Sequence, residues 1–298
     1  MQQKDETKTI RFFSMFTGVG GFEIGLKNAN DITETRRCGQ EENLSESRSG
    51  SSSSQSNIGQ HTFSCIGFSE IDKYASQLLA NKFPTIKNYG DATKINPDEL
   101  PDFDMLCGGF PCQSFSIAGK RRGFEDTRGT MFFEVARILK VKRPKIVFLE
   151  NVKGLLNHNQ GETFKIILQT LDELGYDVQW MVLNSKFFGV PQNRERVFII
   201  GNLRGEPRPE ILPFRESCGG NDEKNYSATI TSSYKKGCNN HNQLIGEKMK
   251  IRRLTPVECE RLQGFPDNYT EGFSDTQRYK MMGNAVTTKV IQAIGEKL

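Results

Sequence analysis

Six short apolar runs, separated by helical or turn-rich patterns, constrain this chain more than any other feature. They span Arg11–Phe16, Ser64–Phe68, Phe103–Cys107, Ile146–Leu149, Val178–Leu183 and Val197–Ile200. Runs of this length bounded by turn signals read as buried strands. Between them, Thr163–Leu174 places Phe164, Ile167, Leu168, Leu171 and Leu174 on one helical stripe, with Gly175 as its stop. Met131–Lys140 is a second helix, ended before Pro144. Strands alternating with helices predict a doubly wound α/β fold with a parallel sheet covered on both faces.

Two regions break this rhythm. Residues 28–63 carry Ser-Gly-Ser-Ser-Ser-Ser at 49–54 and few large apolar side chains, which predicts a flexible insertion. Residues 203–250 are rich in Gly, Pro, Asn and Lys and predict a small, loop-rich region. The window 203–253 holds ten Lys/Arg against six Asp/Glu, so it carries the whole net charge of +4. Such a segment suits phosphate neutralisation, and equally a solvated loop. Beyond it, Thr255-Pro256-Val257-Glu258 combines a cap, a first-turn proline and a capping-box acid, and so starts a short helix running to about Leu262.

The composition excludes several classes. No apolar run reaches the length of a membrane span, and Met1–Lys8 lacks a signal-peptide core. Seven cysteines without regular spacing do not form a disulfide framework, which points to a reducing cytoplasm. With no CxxC pair and three histidines, no metal site is expected.

Chemistry gathers at the strand ends. Phe16-Thr17-Gly18-Val19-Gly20-Gly21 follows the first strand, where glycines let backbone approach a ligand, or simply make a tight turn. Glu70 ends the second strand, a position from which a carboxylate reaches ribose hydroxyls, and Asp91 stands at the next loop. Either acid alone also suits a helix cap; the three features together favour an adenosyl site. Gly108-Gly109-Phe110-Pro111-Cys112-Gln113-Ser114 fixes Cys112 behind a proline among polar neighbours, as a nucleophilic thiol requires and an inert buried cysteine does not. Glu150-Asn151-Val152 brings a carboxylate to the next strand end, either as a proton donor or as a loop cap. In Gln192-Asn193-Arg194-Glu195-Arg196, strand alternation puts Arg194 and Arg196 on one face, suited to an anion or carbonyl oxygen.

The set resembles the bacterial C5-cytosine-specific DNA methyltransferase family. The matching segments run in that family's order: Phe16–Leu26, Ser69–Tyr74, Gly90–Thr93, Gly108–Ser116, Arg128–Leu139, Leu149–Val152, Gly189–Gly201, Arg253–Pro266 and Tyr279–Thr287. The resemblance implies a Rossmann-like S-adenosylmethionine-dependent methyltransferase fold with a small target-recognition domain. It also implies that Cys112 attacks a cytosine flipped out of duplex DNA, with Glu150, Arg194 and Arg196 around the base. It assigns the cofactor to Phe16, Gly18, Gly20, Gly21, Glu70, Ile71, Asp91, Pro111 and Asn284. Lys120, Arg121, Arg122 and Arg128, in a loop with glycine hinges, are expected to close on DNA phosphates.

The implied domains are 1–202 with 275–298, for catalysis and cofactor, and 203–274 for target recognition. The expected protein is a cytoplasmic monomer, with a partner subunit allowed. The recognition region is short for the family, which keeps two alternatives open: a cytosine-5 methyltransferase of RNA, and a degenerate or partner-dependent DNA-binding subunit. The Cys-Phe-Thr segment associated with the RNA branch does not occur.

Overall fold

A computed structural model describes residues 8–30, 61–111, 131–207, 209, 211–212, 244–247 and 250–298. Cys112, Lys120, Arg121, Arg122, Arg128, residues 31–60 of the expected insertion and most of 203–252 lie outside the described residues. The doubly wound α/β fold is borne out, with one change of strand direction.

All six strands form one sheet: β1 (Lys8–Met15), β2 (His61–Ser69), β3 (Met105–Gly109), β4 (Ile146–Val152), β5 (Tyr176–Asn184) and β6 (Glu195–Leu203). Their spatial order is β2-β1-β3-β4-β6-β5. β1 pairs in parallel with β2 and β3, and β3 with β4. β6 runs antiparallel to both β4 and β5, which corrects the expected all-parallel sheet. The connection 185–194 is too short for a helical crossover, so β5 returns directly as β6. From β1 the chain winds first to β2 and later to β3 on the opposite side. That reversal opens a crevice at the strands' carboxyl ends, where doubly wound sheets bind ligands.

Alternation along the strands sends side chains to two separate cores. Phe13, Met15, Leu106, Val147, Leu149, Val197 and Ile199 face α3 (Met131–Lys142) and α4 (Glu162–Glu173). Ile10, Phe12, Met105, Phe148, Phe198 and Ile200 face α1 (21–30) and α7 (Thr288–Gly295). This explains why the strands are nearly continuous apolar runs: both faces are buried. The ends assigned to the insertion are ordered, because residues 28–30 belong to α1 and 61–63 to β2. Asn30 ties them by giving its amide to the Phe63 carbonyl (3.0 Å) and accepting the Phe63 N–H (2.7 Å).

A third core joins the two ends of the chain. α5 (Pro256–Leu262) starts with the expected capping box between Thr255 and Glu258. Its Cys259 and Leu262, with Phe265 and Tyr269, pack on Val19, Leu78 of α2 (Lys73–Lys82) and Met281 and Met282 of α6 (Asp275–Asn284). The Tyr269 hydroxyl donates to the Val19 carbonyl (2.7 Å) and so anchors this packing to the first glycine turn. The 8-residue strand β1 thus delivers a turn that the C-terminal helices hold in place.

Candidate active site

A cavity of about 730 Å³ opens at the crevice beside β1 and β3. That size falls in the range of small-molecule sites. Phe16, Gly18, Glu70, Ile71, Asp91, Pro111 and Asn284 all line it, and so do Glu150, Arg194 and Arg196. The described residues assigned to cofactor and to catalysis therefore share one cavity, with the exception of Gly20 and Gly21.

At one end, Phe16 is held at φ +54°, a left-handed conformation that costs energy for a residue with a Cβ. The turn continues through Gly18 at φ +60°. Glu70 reaches back to this turn: one oxygen accepts the Gly18 N–H and the other the Asp72 N–H, each at 2.7 Å. Burial raises the Glu70 pKa despite these bonds. Ile71 stands 74% exposed beside it, an apolar surface left open to the cavity. Asp91 caps the short turn Ala92–Lys94, accepting the Thr93 N–H (3.0 Å) and hydroxyl (2.8 Å), bonds that hold its pKa low. The cap reading and the ligand reading coexist there, since only Oδ1 receives the Thr93 bonds.

Gly20 and Gly21 are not among the lining residues. A Cβ on Gly20 would come within 2.8 Å of the Phe83 ring, and one on Gly21 within 2.5 Å of the Val286 side chain. Both serve the close approach of α1 to its neighbours, a role that a glycine-rich fingerprint does not separate from ligand contact.

At the other end, Glu150 and Arg196 form an ion pair, with Nε 3.0 Å from Oε1 and both side chains largely buried. Burial raises the Glu150 pKa, opposed by the charges of Arg196 and Arg194. Burial also lowers that of Arg196, against the pull of Glu150. A Cβ on Gly109 would lie 2.8 Å from the Glu150 carboxylate, so the glycine leaves the carboxyl room over β3. Arg194 lies on the same side, as alternation requires. Its guanidinium nevertheless donates to the carbonyls of Gly283 (3.2 Å) and Ala285 (2.8 Å), and burial lowers its pKa to about 9. Arg194 thereby ties the C-terminal end of the helix Asp275–Asn284 to the start of β6.

Two further positioning residues were given no role by the sequence reading. Asn151 gives its amide to the Phe110 carbonyl (2.9 Å), fixing the segment that leads into Pro111. Arg137 on α3 gives Nη1 to the Ile95 carbonyl (2.7 Å) and Nη2 to the Ala92 carbonyl (2.9 Å), bracing the turn that Asp91 caps. Asn151 stood inside a recognised motif, but Arg137 looked like any helical charge.

The C-5 cytosine-specific DNA methylase family model matches residues 10–227 and 214–298. The chain belongs to this family of C-5 cytosine-specific DNA methylases. It is similar to the type II methyltransferase M1.ScrFI of Lactococcus lactis subsp. cremoris, at 40% identity over 98% of this chain and 79% of that protein. It is likewise similar to M.HhaI of Haemophilus parahaemolyticus, at 33% identity over 98% and 95%. Among solved structures, the S. pombe Dnmt2 methyltransferase shares the fold, with a TM-score of 0.68 at 15% identity over 96% of this chain and 97% of that one. The methylase is thus a DNA cytosine-5 methyltransferase. Among its described residues, no helix is long and apolar enough to cross a membrane and no metal-binding cluster occurs.

Proposed function

We propose that this methylase uses S-adenosylmethionine to methylate C5 of a cytosine flipped out of duplex DNA, as the modification arm of a restriction-modification system. The observation that carries this reading is the single cavity that joins the Glu70–Asp91 end to the Glu150–Arg196 pair. The residues fit an adenosyl group. Glu70 offers acceptors for a ribose diol and Asp91 Oδ2 one for the adenine amine, while Phe16 and Ile71 offer apolar faces to the base. Gly18 and Pro111 border the same space, and Asn284 closes the methionine end. When bound, S-adenosylmethionine supplies an electrophilic methyl group.

The chain's own residues make the base reactive. Cytosine C5 is a poor nucleophile until the Cys112 thiolate adds to C6 and forms an enamine. Glu150, whose pKa burial raises against the opposing charges of Arg196 and Arg194, holds N3 and the exocyclic amine as charge develops there. Arg196 holds O2, and Arg194 fixes the strand and loop around it. Loss of the C5 proton and release of Cys112 then restore the aromatic ring. Extruding the base costs roughly a few kcal/mol of stacking and pairing, offset by contacts in the pocket. Lys120, Arg121, Arg122 and Arg128 close on the phosphates. We assign 1–202 with 275–298 to catalysis and 203–274 to target recognition, acting as a cytoplasmic monomer.

The test is transfer of labelled methyl from S-adenosylmethionine by the purified chain to mixed-sequence duplex DNA and, in parallel, to tRNA. Label at cytosine C5 of DNA alone is expected. Label in tRNA alone, or none in either with cofactor bound, would overturn the reading.

A second measurement addresses the cofactor end. Replacing Arg137 with methionine should weaken S-adenosylhomocysteine binding about tenfold, because two charge-assisted bonds that brace the Asp91 turn are lost. Calorimetry that showed unchanged affinity would remove Arg137 from the site's architecture.

A further inference from the structure

Helix α6 turns one face to the cavity: Gln277, Lys280, Met281 and Asn284, at the spacing of a single helical stripe, all line it. Of these, only Asn284 belongs to the site as derived so far. Lys280 Nζ lies 2.7 Å from Asp72 Oδ2, and Asp72 also lines the cavity. Asp72 is fixed from its own side, since its Oδ1 accepts the N–H groups of Tyr74 (3.0 Å) and Ala75 (3.1 Å) as the N-cap of α2. A rigid carboxylate therefore holds a lysine ammonium at the wall of the cavity. One of the three ammonium protons goes to Asp72, which leaves donors for a ligand.

Stability does not account for this pair. The side chains are 46% and 35% exposed, and ion pairs at such exposure contribute little. What the pair does supply is a fixed positive charge and a fixed negative charge in contact, beside the amides of Gln277 and Asn284. That is the complement of a zwitterion.

We propose that Lys280, positioned by Asp72, binds the α-carboxylate at the amino-acid end of the methyl donor, with Gln277 and Asn284 completing this polar subsite. The inference rests on the S-adenosylmethionine reading and goes beyond it by naming what recognises the amino-acid end. Asp72 acts as a positioning residue that orients Lys280. Its own contact to the ligand ammonium is not required.

The experiment compares two ligands on the full chain by calorimetry. S-adenosylhomocysteine carries the amino-acid end, whereas 5′-methylthioadenosine keeps the adenosine and thioether without it. Lys280→Met should weaken the first about tenfold and leave the second within about twofold, as loss of one charge-assisted contact predicts. Lys280→Arg should restore most of the affinity. Asp72→Asn retains a good helix cap and should weaken the first ligand selectively, by about threefold, through a misplaced Lys280. Equal weakening of both ligands, or a loss confined to DNA affinity, would overturn the subsite. Binding of neither ligand to the unaltered protein would overturn the cofactor reading and the subsite with it.

Discussion

Replacing Glu150 with glutamine should lower methyl transfer to duplex DNA by about 10²–10³-fold, the usual cost of losing one positioned proton donor or charge stabiliser. Glutamine is nearly isosteric and still offers an oxygen to Arg196 Nε, so the strand pair β4–β6 should persist. Removing the side chain altogether would leave a buried guanidinium without its partner, a change that typically costs about 3–5 kcal/mol and would confuse stability with chemistry. Affinity for S-adenosylhomocysteine should stay within about twofold, because the cofactor end of the cavity is built by Glu70, Ile71 and Asp91. Cys112→Ala should match or exceed the catalytic loss with the same unaltered cofactor binding. On the proposed mechanism the protonated carboxyl donates to the base, and burial raises its pKa, so activity should decline as pH rises through that raised value. Full transfer by the Gln variant would remove Glu150 from the chemistry.

Stability of the unaltered protein should fall between about pH 4.5 and pH 7 because of one residue outside the catalytic apparatus. Glu23, in the first turn of α1, is 4% exposed. Burial raises its pKa from 4.5 to about 7; its own backbone N–H and the Ser14 hydroxyl oppose this, and the charge of Glu70 adds to it. Between those values the unfolded chain has released the proton and the folded chain still holds it. Raising pH therefore favours unfolding, until the folded carboxyl also ionises near pH 7 and the penalty levels off. The pKa difference bounds the effect at about 3 kcal/mol. Glu23→Gln removes the titration, so urea unfolding at pH 5 and pH 8 should show the variant gaining on the unaltered protein by up to that amount at the higher pH. Parallel pH dependence in the two proteins would sink the argument.

The chemistry at the strand ends was legible because each element announces itself locally. A proline before Cys112, a carboxylate after Leu149 and the glycines at 18, 20 and 21 after Met15-Phe16-Thr17 each mark the end of an apolar run. Lys280 was not legible, since a lysine in a polar helix looks like solvent-facing charge until α6 is packed against α2. The packing role of Gly20 and Gly21 was equally illegible, because a glycine needed for helix packing and a glycine needed for ligand approach are the same letter. The direction of β6 depended on how the chain turned after Asn184, and apolar content carries no sign of direction.

By itself the sequence determined six strands, the capped helix at Thr255, the order of the chemical motifs and hence the family. These are properties of neighbours along the chain: hydrophobic period, turn chemistry and spacing. Only the tertiary structure decided that Glu150 meets Arg196, that Arg194 binds the Gly283–Ala285 backbone, and that Asp72 reaches Lys280 from 208 positions away. Those pairings join segments that have no local preference for one another. The sheet order and the third core bring them together, because burying the apolar faces of α2, α5 and α6 on the first glycine turn sets Asp72, the N-cap of α2, and one face of α6 at the same cavity.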